Sequence, residues 1–151
     1  MKITTTGKLF TAVLLVGGLA WAVTSSKSGF GGMQTPQATS ARPGAALTAV
    51  KLPASLSAEA MTGKTYYEAV CASCHGTNAA GQDGVAPPLV HPLYVSSHHG
   101  DAAFVVAARK GVRQHHWPFG SMPPLEQRLT DAALIAIIRY IRELQRENGI
   151  L

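Results

Sequence analysis

Cys71 and Cys74 stand three positions apart with His75 directly after them, in the run Cys71-Ala72-Ser73-Cys74-His75. Two thiols at this spacing followed at once by an imidazole suit covalent attachment of one c-type haem, each sulfur adding to a vinyl group while the histidine becomes an axial iron ligand. Other cysteine chemistries fit less well. A structural zinc site wants four ligands, commonly from a second Cys/His pair, and these are the only two cysteines in the chain. A thioredoxin-like redox pair follows a strand in a βαβ pattern, whereas this pair ends a helix-like segment. A plain disulfide explains neither the adjacent histidine nor a ligand downstream.

The elements that must position these residues follow from periodicity. Ser57 opens a helix as its N-cap, with Glu59 in the first turn and Gly63, Tyr66, Tyr67 and Val70 at spacings of three and four. That helix delivers the cysteines. From Gly76 to Pro92 glycine and proline punctuate a loop that also holds Val85, Leu89 and Val90, as a haem-lining loop would. Asp101–Lys110 reads as a short helix with Phe104, Val105, Ala107 and Ala108 inward and Gly111 ending it. The stretch 111–125 is irregular again and carries His115, His116, Trp117 and Met122. Thr130 then caps a terminal helix in which Leu134, Ile137, Ile138, Ile141 and Leu144 repeat at helical spacing, with Arg139, Arg142, Glu143 and Arg146 expected on the opposite, solvated face. Gly149 stops it, and Tyr140 is a candidate to fill the gap over Gly63.

Size and charge set limits. Of 151 residues, 46% hydrophobic, the globular part expected at 57–151 builds only a modest core by itself, and a buried haem would complete it. The net charge of +5 does not mark a nucleic-acid binder. Lys2, Lys8, Lys27, Arg42 and Lys51 precede Ser57 with no acidic residue among them, and from Ser57 onward eight basic and eight acidic residues balance.

Residues 1–23 read as a signal peptide or membrane anchor, because Lys2 and Lys8 precede an almost wholly apolar run, 9–23, with Ala20-Trp21-Ala22 as a possible cleavage box. That run of 15 residues is just short of the roughly 17 that cross a bilayer unless its flanks are drawn in. Either way the remainder is carried to the periplasmic side of a bacterial-type inner membrane. Residues 24–56, rich in Gly, Ser, Thr, Ala and Pro, have no apolar period and read as a flexible linker. A tether of that length is useful to an uncleaved anchor and of little use to a released protein, which favours anchoring.

From Ser57 to Leu151 the pattern resembles a class I cytochrome c: a Gly63/Tyr67 helix running into Cys71-Ala72-Ser73-Cys74-His75-Gly76, then Ala86-Pro87-Pro88-Leu89, then Gly120-Ser121-Met122-Pro123-Pro124, and last a helix containing Tyr140-Ile141-Arg142-Glu143-Leu144. The resemblance implies a small all-α fold whose first and last helices cross around one haem. It also implies Met122 as sixth iron ligand, 47 residues after His75 in a Pro-flanked loop. Pro88 is similar to the family's proline whose carbonyl accepts the Nδ1 proton of the axial histidine, with Pro87 as the alternative.

With His75 and Met122 both on the iron, no vacancy is left for dioxygen or peroxide, and the expected function is electron transfer rather than catalysis. Redox proteins would dock transiently as donor and acceptor. His91, His98, His99, His115 and His116 fall between the two axial ligands. Imidazole binds copper and zinc well, but adjacent histidines on an extended segment point opposite ways, so the expectation is that they bond propionates or solvent and hold no second metal tightly. The alternatives are a haem enzyme or sensor with a displaceable ligand, and a metal-handling module built on those histidines. Localisation is directly testable: an uncleaved 9–23 segment should keep the intact chain in the membrane fraction through high-salt washing, whereas a mature chain beginning at Val23 in periplasmic extract would reject the anchor.

Overall fold

The computed structural model describes residues 43–125 and 129–150. The expected signal or anchor, 1–23, and the linker as far as residue 42 lie outside them. Four α-helices follow one another: α1 (Ala58–Val70), the single turn α2 (Ala72–His75), α3 (Asp101–Lys110) and α4 (Asp131–Glu147). No strand forms among the described residues, where two isolated antiparallel bridges join Gln82 to Ala86 and Val112 to Met122. The all-α architecture with its terminal helices crossing is the one expected.

Each long helix starts where a side-chain oxygen can take an orphan N–H. Ser57 Oγ accepts from Ala60 N at 3.2 Å, and Thr130 Oγ1 accepts from Ala133 N at 3.1 Å. The cap of α1 is reinforced from α4: Glu143 accepts from Ser57 N at 3.1 Å and from Ser57 Oγ at 2.7 Å. A Glu three residues after the cap would ordinarily do this, but Ala60 stands there. Glu143 thus binds two helices together and is not the freely solvated side chain expected.

The crossing is set by Gly63. A Cβ at that position would lie 1.8 Å from the Ala136 carbonyl oxygen and 2.9 Å from Ile137 N, so the α4 backbone occupies the space a side chain would need. Tyr140 does not fill a gap over Gly63 as expected, because the helix backbone itself is there. One turn on, Tyr67 packs on Tyr140 with ring centroids 5.5 Å apart. The Tyr67 hydroxyl donates to Gly76 O at 2.8 Å and the Tyr140 hydroxyl to Asn78 Oδ1 at 3.1 Å. Ala60, Gly63 and Tyr67 are the buried face of α1, and they meet Leu134, Ile137, Ile138, Ile141 and Leu144 of α4.

Arg142, expected on the solvated face, is 9% exposed. The chain from 91 to 100 folds over that flank of α4 and covers it. The guanidinium serves four acceptors there: Asp101 Oδ1 at 2.8 Å, Tyr94 O at 2.7 Å, Gln145 Oε1 at 2.6 Å and His99 O at 2.6 Å. It also lies over the Phe104 ring, 5.0 Å from the centroid. A planar fork of five donors can do this where a lysine could not. Arg139 and Arg146 are half-exposed, as expected.

Residues 43–56 differ from a free linker. Gly44 N donates to Asp83 O and Asp83 N to Ala45 O, both at 2.9 Å, while Leu47 N and Thr48 N share Ala80 O at 3.1 Å. Lys51 and Asn148 exchange a reciprocal pair at 2.9 Å, and Val50 and Leu56 pack against the core. Composition without apolar period concealed this, since the segment is held largely through backbone groups.

Gly63→Ala tests the crossing. A methyl forced against backbone at 1.8 Å cannot be relieved by a rotamer change, so denaturant unfolding should show a loss of about 3 kcal/mol or more, the top of the overpacking range. Gly84→Ala, where nothing lies within 4 Å, carries only the left-handed backbone cost of about 1–2 kcal/mol. Equal stability of Gly63→Ala and the parent would show that the helices do not meet as described.

Candidate haem site

The last turn of α1 runs into α2 with almost no break: Cys71 N donates to Tyr67 O at 2.8 Å, and His75 N to Cys71 O at 2.9 Å. Cys71 and Cys74 are therefore one helical turn apart and share a face, with His75 beside them. Cys71 is half-buried and Cys74 exposed. Burial, and then the neighbouring Cys74, push the Cys71 thiol up to about 11.

The short helix ends against a loop that folds back on it. Gly76 and Gly81 have φ of 74° and 73°, and a Cβ on Gly81 would lie 2.5 Å from Pro88 N. Gly81 N donates to His75 O at 2.8 Å. Gln82 completes the end of α2, its Nε2 shared among the carbonyls of Ala72 (3.2 Å), Ser73 (2.9 Å) and Cys74 (3.1 Å). Ala72 O also accepts from Gly76 N at 3.0 Å, so Ser73 O and Cys74 O are the carbonyls this four-residue helix would otherwise leave without partners. Periodicity gives no hint of Gln82, because its role depends on the loop's return.

That return carries Pro87 to His75, whose Nδ1 lies 2.9 Å from Pro87 O. A carbonyl only accepts, so Nδ1 carries the proton and Nε2 presents its lone pair. Loss of water around the ring lowers the His75 pKa, an effect the Pro87 bond partly opposes, and the imidazole is neutral at pH 7. The carbonyl expected from Pro88 comes from Pro87 instead. Pro88 is fully buried, with its backbone nitrogen and ring against Gly81.

Cys71, Cys74, His75 and Met122 line one cavity of about 750 Å³, walled by Phe104 and Ala108 of α3 and by Leu134, Ile137, Ile138 and Ile141 of α4. Met122 is held by two backbone bonds with Val112, each 2.9 Å. Gly111 makes this possible: its φ is 74°, and a Cβ there would lie 2.5 Å from Met122 O. Gly111 was expected only to stop α3, and it also admits the methionine loop.

A family model described as Cytochrome c matches residues 60–145, which takes in the motif, the loop, the methionine and most of both long helices. The chain belongs to the cytochrome c family. Its residues are 37% identical over 92 positions to the Cbb3-type cytochrome c oxidase subunit CcoP of Azospirillum brasilense, a match that covers 58% of this chain and 29% of that protein. A CcoP subunit of Azospirillum sp. (strain B510) is 38% identical over 88 positions, covering 54% of this chain and 27% of the relative. The chain therefore spans under a third of the length of these curated relatives.

As a c-type cytochrome it carries covalently bound haem c and transfers electrons. The cavity fits that group in size, lining and donor set. One polar atom in its wall makes the same point. The Trp117 indole Nε1 is buried with no well-formed hydrogen bond among the described residues, the Tyr94 hydroxyl being its polar neighbour. A buried N–H left so costs about 1–3 kcal/mol, and a carboxylate of the bound haem would offer it an acceptor.

The two adjacent histidine pairs do not lie on extended chain, although His91, standing alone, does. Residues 96–99 and 115–119 are turns and bends, so neighbouring side chains converge. The His98, His99, His115 and His116 rings form one group, with centroids 4.5 Å apart for His98 and His99 and 4.2 Å for His115 and His116. His91 stands outside it, edge-on to Trp117 at 5.1 Å.

Gln82→Ala should destabilise this cytochrome by about 0.5–1.5 kcal/mol in denaturant unfolding, since three partly solvated carbonyls lose a shared donor. Gln82→Glu has the same shape but only acceptor oxygens, and should lose at least as much at neutral pH. If both variants unfold like the parent, the amide does not hold the end of the Cys71–His75 turn.

Proposed function

We propose that this cytochrome is a one-haem electron carrier on the periplasmic side of the inner membrane, anchored through residues 9–23, with Cys71 and Cys74 as attachment sites and His75 and Met122 as axial ligands. The observation that carries this reading is that all four residues line one apolar cavity. Haem c, when bound, supplies a one-electron iron couple whose ferrous form is favoured by a neutral thioether ligand.

The protein's own part is positioning and exclusion of water. Pro87 O fixes the His75 ring with Nε2 turned away from the backbone. Val112 and Gly111 hold Met122 from one side, and Pro123 and Pro124, directly after it, limit the conformational freedom lost when the thioether is presented. His115 and His116 are exposed and Met122 half-buried, which supports the thioether over the imidazoles as the inner ligand. With His75 and Met122 both on the iron no open position would remain for a substrate, and this supports a carrier rather than an enzyme.

Val85 and Val106 line the cavity yet are 44% and 51% exposed, giving its mouth an apolar rim. A balanced charge and a small apolar rim suit transient docking of redox proteins. The relatives named as subunits of a cbb3-type cytochrome c oxidase support a place in a respiratory chain that ends in an oxidase. Among the described residues no helix is long and apolar enough to cross a membrane, so the anchor rests on the 9–23 sequence.

Met122→Ala should abolish the weak long-wavelength charge-transfer band of the ferric protein, lower the midpoint potential, and open the iron to carbon monoxide. Met61→Ala, on the exposed side of α1, should leave all three unchanged. A native spectrum and potential in Met122→Ala would place the sixth ligand elsewhere.

A further inference from the structure

We infer that His98, His99 and His116 form a second metal site beside the haem cavity, for a borderline divalent cation such as Zn²⁺ or Cu²⁺. Each offers one ring nitrogen, and the three nitrogens all lie within 4.8 Å of one another. Around a tetrahedral zinc with bonds of about 2.0–2.1 Å, ligand nitrogens lie about 3.3 Å apart, so closure needs small ring rotations. His98 and His116 are exposed and free to make them. His115, stacked on His99 at 6.1 Å between centroids, stands ready as a fourth imidazole, with water as the alternative.

The backbone settles which atom His99 and His115 offer. His99 Nδ1 lies 2.6 Å from Leu93 O and His115 Nδ1 lies 2.8 Å from Arg113 O. Both contacts require the proton on Nδ1, which leaves the Nε2 lone pairs for the cluster. This is the arrangement metal-bound imidazoles ordinarily have, with the outer nitrogen donating to a carbonyl.

The same fact bears against a purely haem-serving role. His99, His115 and His116 also line the cofactor cavity, where a propionate would need donors. With Nδ1–H already used by backbone carbonyls, His99 and His115 have only Nε2 left to present there. A Lewis acid satisfies converging lone pairs that an anion cannot.

The scaffold is firm. His98 N and His99 N donate to Val95 O at 2.9 and 2.8 Å, and Arg142 holds the His99 carbonyl to α4 at 2.6 Å. An all-imidazole set selects borderline ions over calcium or magnesium, which prefer oxygen.

The full-length, haem-loaded protein, freed of adventitious metal with a chelator, is titrated with Zn²⁺ in competition with a chromophoric indicator, and separately with Cu²⁺ followed by electron paramagnetic resonance. About one equivalent of metal per haem is expected, with nitrogen hyperfine coupling for Cu²⁺. His98→Ala and His116→Ala should each weaken binding by more than about tenfold, the least effect seen on losing even an outer partner of a ligand. His91→Ala should bind as the parent does, and the haem spectrum should be unchanged in all three, which also reports that they fold. Equal binding by parent and the His98→Ala/His116→Ala double variant, or none in the parent, overturns the site. A changed haem spectrum in those variants before any metal is added would likewise overturn it, assigning the imidazoles to the haem.

Discussion

Two helix backbones can come into contact only where a side chain is missing, and at Gly63 the Ala136 carbonyl occupies the place of a Cβ, 1.8 Å from where it would stand. Everything downstream takes its position from this contact. It brings Tyr67 onto Tyr140, and their hydroxyls reach Gly76 and Asn78, just after the Cys71–His75 turn. The phenol of Tyr67 is fully buried, and burial raises its pKa far above the ordinary value, so it stays a neutral donor. The motif Cys71–His75 is thus fixed to α4 through the helix that precedes it and through the loop that follows.

A second constraint organises the opposite wall. Arg142 is a buried cation whose partners are three-quarters backbone or amide oxygen, with one largely exposed carboxylate, Asp101. A charge placed there costs desolvation, which its hydrogen bonds offset. What it secures is the otherwise irregular chain from Tyr94 to Asp101, including the His99 carbonyl. Gln145 extends the hub by donating to Leu89 O at 2.8 Å, so one flank of α4 holds both the loop that orients His75 and the loop that carries His98 and His99. The haem pocket and the imidazole cluster therefore share a support, although different residues would do their chemistry.

Close glycines recur where loops must fold back. Gly81 lets Pro88 in, which brings Pro87 O to His75, and Gly111 lets Met122 in. Neither close approach is legible in the sequence, because each depends on the segment that folds back onto the glycine.

The sequence alone determined the cofactor and the helices that hold it. A Cys-x-x-Cys-His run is a local pattern with one dominant chemistry, and caps such as Ser57 and Thr130 with apolar spacing behind them are local too, so α1, α3 and α4 appear where expected. Tertiary structure decided what depends on distant partners: that Pro87 and not Pro88 faces His75, that backbone and not Tyr140 lies over Gly63, that Arg142 is buried, and that residues 43–56 lie on the domain. It also decided the fate of the histidines. Side-chain direction follows backbone conformation, and the turns at 96–99 and 115–119 make neighbours converge where extended chain would have parted them.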